Sequence, residues 1–210
     1  MFESGYSIRL YQILENDVVD FLNYIPIDYY LGEKKKQIFS PKIAELLVRI
    51  GSQVDIFFRY WDIVHEVYIK KYNPKKFKLN DLDMGYFKDI ERENKIILSN
   101  KEIKIISTDE IIIPFEFFSG DRRYPLFWNA YNHVKHNGFT NKKEGNLFNV
   151  IESLAALFLL NCVHEKTQNK LAEHGFISIR NRELFEQLDF DMKRYPYSYI
   201  TSKIFEFNKN

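Results

Sequence analysis

Apolar residues return at steps of three and four along one stretch of the chain: Ile43, Leu46, Leu47, Ile50, Val54, Phe57, Phe58, Trp61, Val64 and Tyr68. That spacing keeps them on one face of a helix. Ser40 supplies an N-cap, and Pro41 suits the first helical position, where its missing N–H would go unpaired in any case. Lys70 and Lys71 complement the C-terminal dipole, and Asn73-Pro74 ends the element. The pattern predicts a helix over Ser40–Tyr72, about 30 residues or roughly 45 Å long at 1.5 Å per residue. A helix of that length in a small protein calls for helical partners along it.

A second helix is predicted over Asn146–His164. Leu147, Val150, Ile151, Leu154, Leu157, Phe158 and Asn161 form one stripe, and Ala155, Ala156, Leu159 and Leu160 make the middle apolar all round. A helix of that kind sits centrally in the fold or packs against a second subunit. Tyr11–Tyr24 reads as a further helix, ending at Ile25-Pro26.

The middle of the chain changes character. Lys95–Leu98 and Ile103–Ile106 are β-branched runs around Ser99-Asn100-Lys101-Glu102, which predicts a hairpin, with Ile111–Ile113 as a third strand before Pro114. The tail from Tyr195 to Phe207 has strand composition. No repeat or linker interrupts the sequence. The expected fold is mainly α, an antiparallel helical bundle with a small inserted β-hairpin at about 95–113, in one domain over residues 1–210.

Composition narrows the function classes. The chain has 210 residues, with 30 Lys+Arg against 29 Asp+Glu, so it is not a polyanion-coating protein, and any nucleic-acid contact must be local. Aromatic residues make up 17%, and many lie on the inward stripe of the long helix or between Phe115 and Trp128, so most of them belong to the core. Cys162 is the single cysteine and sits in an apolar helix, which makes it a buried, inert thiol. The opening MFESGYSIRL has no signal-peptide pattern, and the longest apolar run, Leu154–Leu160, is far too short for a membrane span. A cytoplasmic protein without membrane contact is expected. Phosphate-loop, dinucleotide-binding and serine-hydrolase glycine patterns are absent.

Candidate chemistry concentrates in Arg122–Asn137, RRYPLFWNAYNHVKHN. Pro125 opens a helix on which Trp128, Tyr131 and Lys135 share a face, with Asn129, Asn132, His133 and His136 on an adjoining one. His133 or His136 has the chemistry of a general acid or base, and Lys135 with Arg123 that of a phosphate holder. The same residues also serve a structural reading, in which Asn and His tie the helix to neighbouring loops through hydrogen bonds. Two histidines three apart suit one metal ion, but no acid shares their turn and no HExxH pattern occurs, so no metal or other cofactor is expected. A second cluster, Lys70, Lys71, Lys75, Lys76 and Lys78, interleaved with Tyr72 and Phe77, fits a phosphate backbone with stacked bases, or equally a solvated helix end.

Trp128, Tyr131-Asn132 and Lys135-His136 form a W-x2-YN-x2-KH segment, followed by the apolar helix SLAALFLL. With the long helix before it, this arrangement resembles the HEPN superfamily over roughly residues 40–70 and 120–165. The resemblance implies an α-helical bundle, often dimeric, acting on or binding RNA in stress or phage-defence systems. The Arg-to-His spacing found in many HEPN ribonucleases is met only by Arg59 and His65, which a helix would hold about 120° apart. Arg123 lies ten residues before His133. The expectation is therefore an RNA-binding protein or ribonuclease with RNA as partner and a homodimeric state. The rival is a non-catalytic homodimeric interaction module.

Overall fold

Ser40 accepts a hydrogen bond from the Ile43 N–H at 3.2 Å, and Pro41 follows it as the first residue of a helix. That local chemistry starts the longest of the elements in the computed structural model, which describes residues 4–25, 27, 38–61, 84–92, 97–119, 124–138, 140–171, 173–176 and 199–208. In chain order these hold α1 (Ser4–Leu22), α2 (Pro41–Tyr60), α3 (Gly85–Arg92), β1 (Ile103–Ile105) and β2 (Ile111–Ile112). A 3-10 turn (Glu116–Phe118), α4 (Leu126–Asn137) and a second 3-10 turn (Lys142–Glu144) follow. The chain continues through α5 (Leu147–Val163), α6 (Glu165–Leu171), β3 (Tyr199–Thr201) and β4 (Phe205–Asn208). The protein is mainly α with one four-stranded antiparallel sheet.

α5 is the centre. Apart from Glu152, every side chain from Leu147 to Cys162 is buried, including Cys162 itself. α1, α2, α4 and α6 all pack on it, so its all-round apolar surface is satisfied within one chain. α2 and α5 run in the same direction, which corrects the antiparallel arrangement expected of these two helices. At their starts the Ile38 carbonyl accepts from the Leu147 N–H at 2.9 Å; at their ends the Trp61 and His164 rings lie 5.3 Å apart. α1 runs the other way: Ser7 Oγ donates to Asn161 Oδ1 at 2.9 Å near its start, and Asp17 pairs with Arg49 at 2.5 Å near its end.

Three further expectations need correction. The long helix does not reach Tyr72: it ends at Tyr60, and Trp61 is extended at φ −75°, ψ 121°. Leaving the helix lets the Trp61 ring enter a buried cluster with Phe57 (5.5 Å) and His164 (5.3 Å). Val64, Tyr68 and the Asn73-Pro74 stop lie outside the described residues. The hairpin exists in a different register. β1 pairs with β2, Ile103 opposite Ile112, around a turn in which Asp109 takes a left-handed φ of 59° and pairs with Lys104 at 2.6 Å. Ile97 and Leu98 are not in a strand, because the adjoining Ser99 is bonded through its N–H and hydroxyl to the Glu91 carboxylate at the end of α3. Lastly, the sheet is not a local insertion. Its order is β2-β1-β4-β3, so the C-terminal hairpin pairs directly with β1, Ile103 opposite Phe207 and Ile105 opposite Phe205. The strand composition of the tail thus forms strands at 199–201 and 205–208, and it does so as half of this sheet. Among the described residues no helix is long and apolar enough to cross a membrane.

The tail is anchored through a buried polar node on α1. The Tyr11 hydroxyl donates to Glu15 Oε1 at 2.9 Å and lies 3.1 Å from Ser202 Oγ, while the Ile204 N–H donates to the same Glu15 oxygen at 3.1 Å. Burial first, and the Glu15 carboxylate second, push the Tyr11 hydroxyl well above the usual phenol range. The folded chain therefore keeps this proton where the unfolded chain gives it up. The resulting stability is intact at neutral pH and is lost as pH rises past about 10. Urea unfolding between about pH 8 and about pH 11 is expected to show a steeper alkaline loss in the wild type than in Tyr11→Phe.

At Gly51 α2 comes close to α4. A Cβ there would stand 2.5 Å from Tyr131 Cγ and 3.0 Å from Tyr131 Cβ. The ring is buried and has no room to retreat, so Gly51→Ala is expected to destabilise by about 1–3 kcal/mol despite the better helix propensity of Ala. Thermal unfolding should show the loss, and Gly51→Ala with Tyr131→Leu should recover part of it.

Candidate functional site

α4 follows Pro125 and ends at Gly138, as its sequence predicts. Phe127, Trp128, Ala130, Tyr131 and Val134 are buried. At about 100° per residue, Asn132, His136, Asn129 and His133 follow one another on one arc of about 100°, while Lys135 falls between the buried Tyr131 and Trp128. Asn129, His133, Lys135 and His136 are exposed and Asn132 is half-buried. The helix therefore presents a polar face carrying four of the predicted site residues, with Lys135 set apart on the Trp128–Tyr131 side.

Lys135 turns toward one edge of this face. Its Nζ donates to the Tyr131 hydroxyl at 2.9 Å and lies 5.1 Å from the ring centroid. The Tyr131 hydroxyl is also 3.4 Å from Ser52 Oγ, so it links α4 to α2. Tyr131 is 1% exposed and its ring packs 5.1 Å from that of Trp128. These two aromatics are structural: they seat α4 rather than offer a stacking surface.

His133 occupies the opposite edge. Its Nδ1 lies 3.0 and 2.9 Å from the two carboxylate oxygens of Glu144. This acid belongs to the 3-10 turn after α4, and sequence periodicity does not reach it: the chain reverses between the two residues. The readable signal was the N-cap at Asn146, which accepts from the Asn149 N–H at 3.0 Å and fixes where the turn must sit. His136 stands between the two edges and makes no side-chain hydrogen bond to a described residue. Being about 160° apart on the helix, His133 and Lys135 do not meet at one point.

Arg123 and the basic cluster Lys70, Lys71, Lys75 and Lys76 lie outside the described residues, as does His65. Arg59 is committed to Asp55 through Nε at 2.9 Å. Among the described residues no group of three or more His, Cys, Asp or Glu could hold a metal. A shallow cavity of about 210 Å³ opens elsewhere, where α1 ends beside the β1–β2 and β3–β4 turns. Its walls include Val19, Leu22 and Ile204, and its cation, Lys203, donates to Asn16 at 2.7 Å, so no set of reactive groups converges there.

Comparison with protein-family models, with curated proteins and with solved structures found no match.

His133 is 56% exposed and Glu144 39%, so their attraction is screened by water. A double-mutant cycle with His133→Ala and Glu144→Ala is expected to return a coupling of at most about 1 kcal/mol in chemical unfolding. A larger value would mean that the pair holds the turn in place.

Proposed function

We propose that this protein is HEPN-like and acts on RNA through the polar face of α4, in a stress or phage-defence role. The observation that carries the reading is that four polar residues of one helix, two of them imidazoles, share one side of α4 opposite a buried aromatic back. Such a face supplies what metal-free RNA cleavage needs: a group to take a proton, a group to return one, amides to contact bases or phosphate, and a cation at the margin. His133 and His136 serve as base and acid with Arg123 holding the scissile phosphate, and Lys135, on the far side of α4, contacts the RNA backbone beyond it. In this reading the protein pairs as a homodimer, and the Lys70–Lys76 cluster adds affinity for the phosphate backbone.

A second reading is a non-catalytic homodimeric interaction module. It is favoured by the burial of Trp128 and Tyr131 and by the engagement of Lys135 with the Tyr131 hydroxyl, both of which give this segment a structural task.

Incubation of the purified full chain with total RNA separates the two, alongside a solution mass measurement. The wild type is expected to fragment RNA, and the double variant His133→Ala/His136→Ala to lose about 10²-fold or more of that activity with unchanged thermal unfolding. Equal activity in the double variant removes the histidines from the mechanism. An inert wild type that is nevertheless dimeric favours the module.

A further inference from the structure

The Glu144 backbone is held by bonds that do not involve His133. The Glu144 N–H donates to the Asn141 carbonyl at 2.9 Å, and the Glu144 carbonyl accepts from Asn149 Nδ2 at 2.7 Å. The Lys143 carbonyl accepts from Asn146 Nδ2 at 2.9 Å. Asn146 and Asn149 are themselves buried at the start of α5, where Asn146 also bridges to Phe39 before α2. The turn is thus pinned to the two central helices, and the pinning brings both carboxylate oxygens to His133 Nδ1. An ionised carboxylate only accepts hydrogen bonds, and a neutral imidazole has one N–H to give. Paired in this way, the ring carries its proton on Nδ1. The lone pair is left on Nε2, which bonds no described residue.

We propose that His133 is the proton acceptor of this face, through Nε2, and that Glu144 is its positioning residue. The inference rests on the reading of α4 as a surface that acts on RNA. A ribose 2′-hydroxyl gives its proton to Nε2, so that the O–H bond breaks as the N–H bond forms. The freed oxygen bonds to the adjacent phosphorus while the P–O5′ bond breaks, and O5′ leaves as a hydroxyl with a proton from His136, which takes one back from water. The imidazolium, steadied through Nδ1–H by Glu144, returns its proton to water, and no redox change occurs.

Nitrogen-15 NMR of the imidazole rings in the full chain reads the tautomer without any substrate. At a pH where the ring is neutral, wild-type His133 is expected to be protonated at Nδ1, and Glu144→Ala to move the proton toward Nε2. An Nε2–H ring in the wild type, or the same ring in both proteins, overturns the positioning role. With RNA present, Glu144→Ala is expected to lower kcat about tenfold at unchanged KM, and His133→Ala to lower it about 10²-fold or more. Retained kcat in His133→Ala overturns its role as acceptor. A tautomer that shifts as expected in a protein that cleaves no RNA upholds the positioning by Glu144 and overturns the reading of α4 as an RNA-cleaving face.

Discussion

The α5 helix carries apolar side chains around nearly its whole circumference, so water has to be excluded from every side of it. Each Leu, Ile or Phe taken out of water there contributes about 1.5–3 kcal/mol. The chain meets the requirement by surrounding α5 with its own helices and with the Phe205 side of the sheet, where Phe158 and Phe205 stack at 5.9 Å. The polar residues of α5 are consistent with this enclosure. Ser153 donates to the Val150 carbonyl and Asn161 Nδ2 to the Leu157 carbonyl, each at 2.9 Å, so neither is buried without a partner.

Enclosing α5 dictates where α4 sits. The helix reaches α2 at Gly51, the one position of α2 with no side chain, and its Tyr131 ring fills the space a side chain would take. With its aromatic back seated there, α4 has only one direction left for its polar residues, and that direction is solvent. The start of α5 contributes the other half of the site. Its Asn146 cap and Asn149 amide shape the turn that carries Glu144, so the cap that begins the central helix also sets the acid beside His133. Packing and candidate chemistry thus share the same few residues.

Elements governed by near neighbours in the chain were legible. The limits of α4 and α5 follow from Pro125, Gly138, Asn146 and an apolar period that local helix geometry must respect. The shared face of Trp128, Tyr131 and Lys135 follows in the same way. α2 was legible in its start but not in its end, because the apolar spacing continues past Trp61 while the backbone turns extended to place that ring among Phe57, Phe87 and His164. The short α3 and α6 went unforeseen, since eight and seven residues leave little periodicity to detect. Glu144 was invisible as a site residue, for its link to His133 runs through a reversal of the chain and not through a helical repeat.

The sequence by itself determined a mainly helical chain, the all-round burial of Leu147–Cys162, and an amphipathic Leu126–Asn137 with histidines and amides on its polar side. These are properties of hydrophobic spacing and capping, which act over a few residues. Tertiary structure alone decided that α2 stops at Tyr60, that the β1–β2 hairpin shares a sheet with the C-terminal strands, and that a carboxylate meets His133. Each of these depends on contacts between residues far apart in the chain. Such contacts form only where the burial of one segment brings another beside it, and no local pattern encodes the meeting.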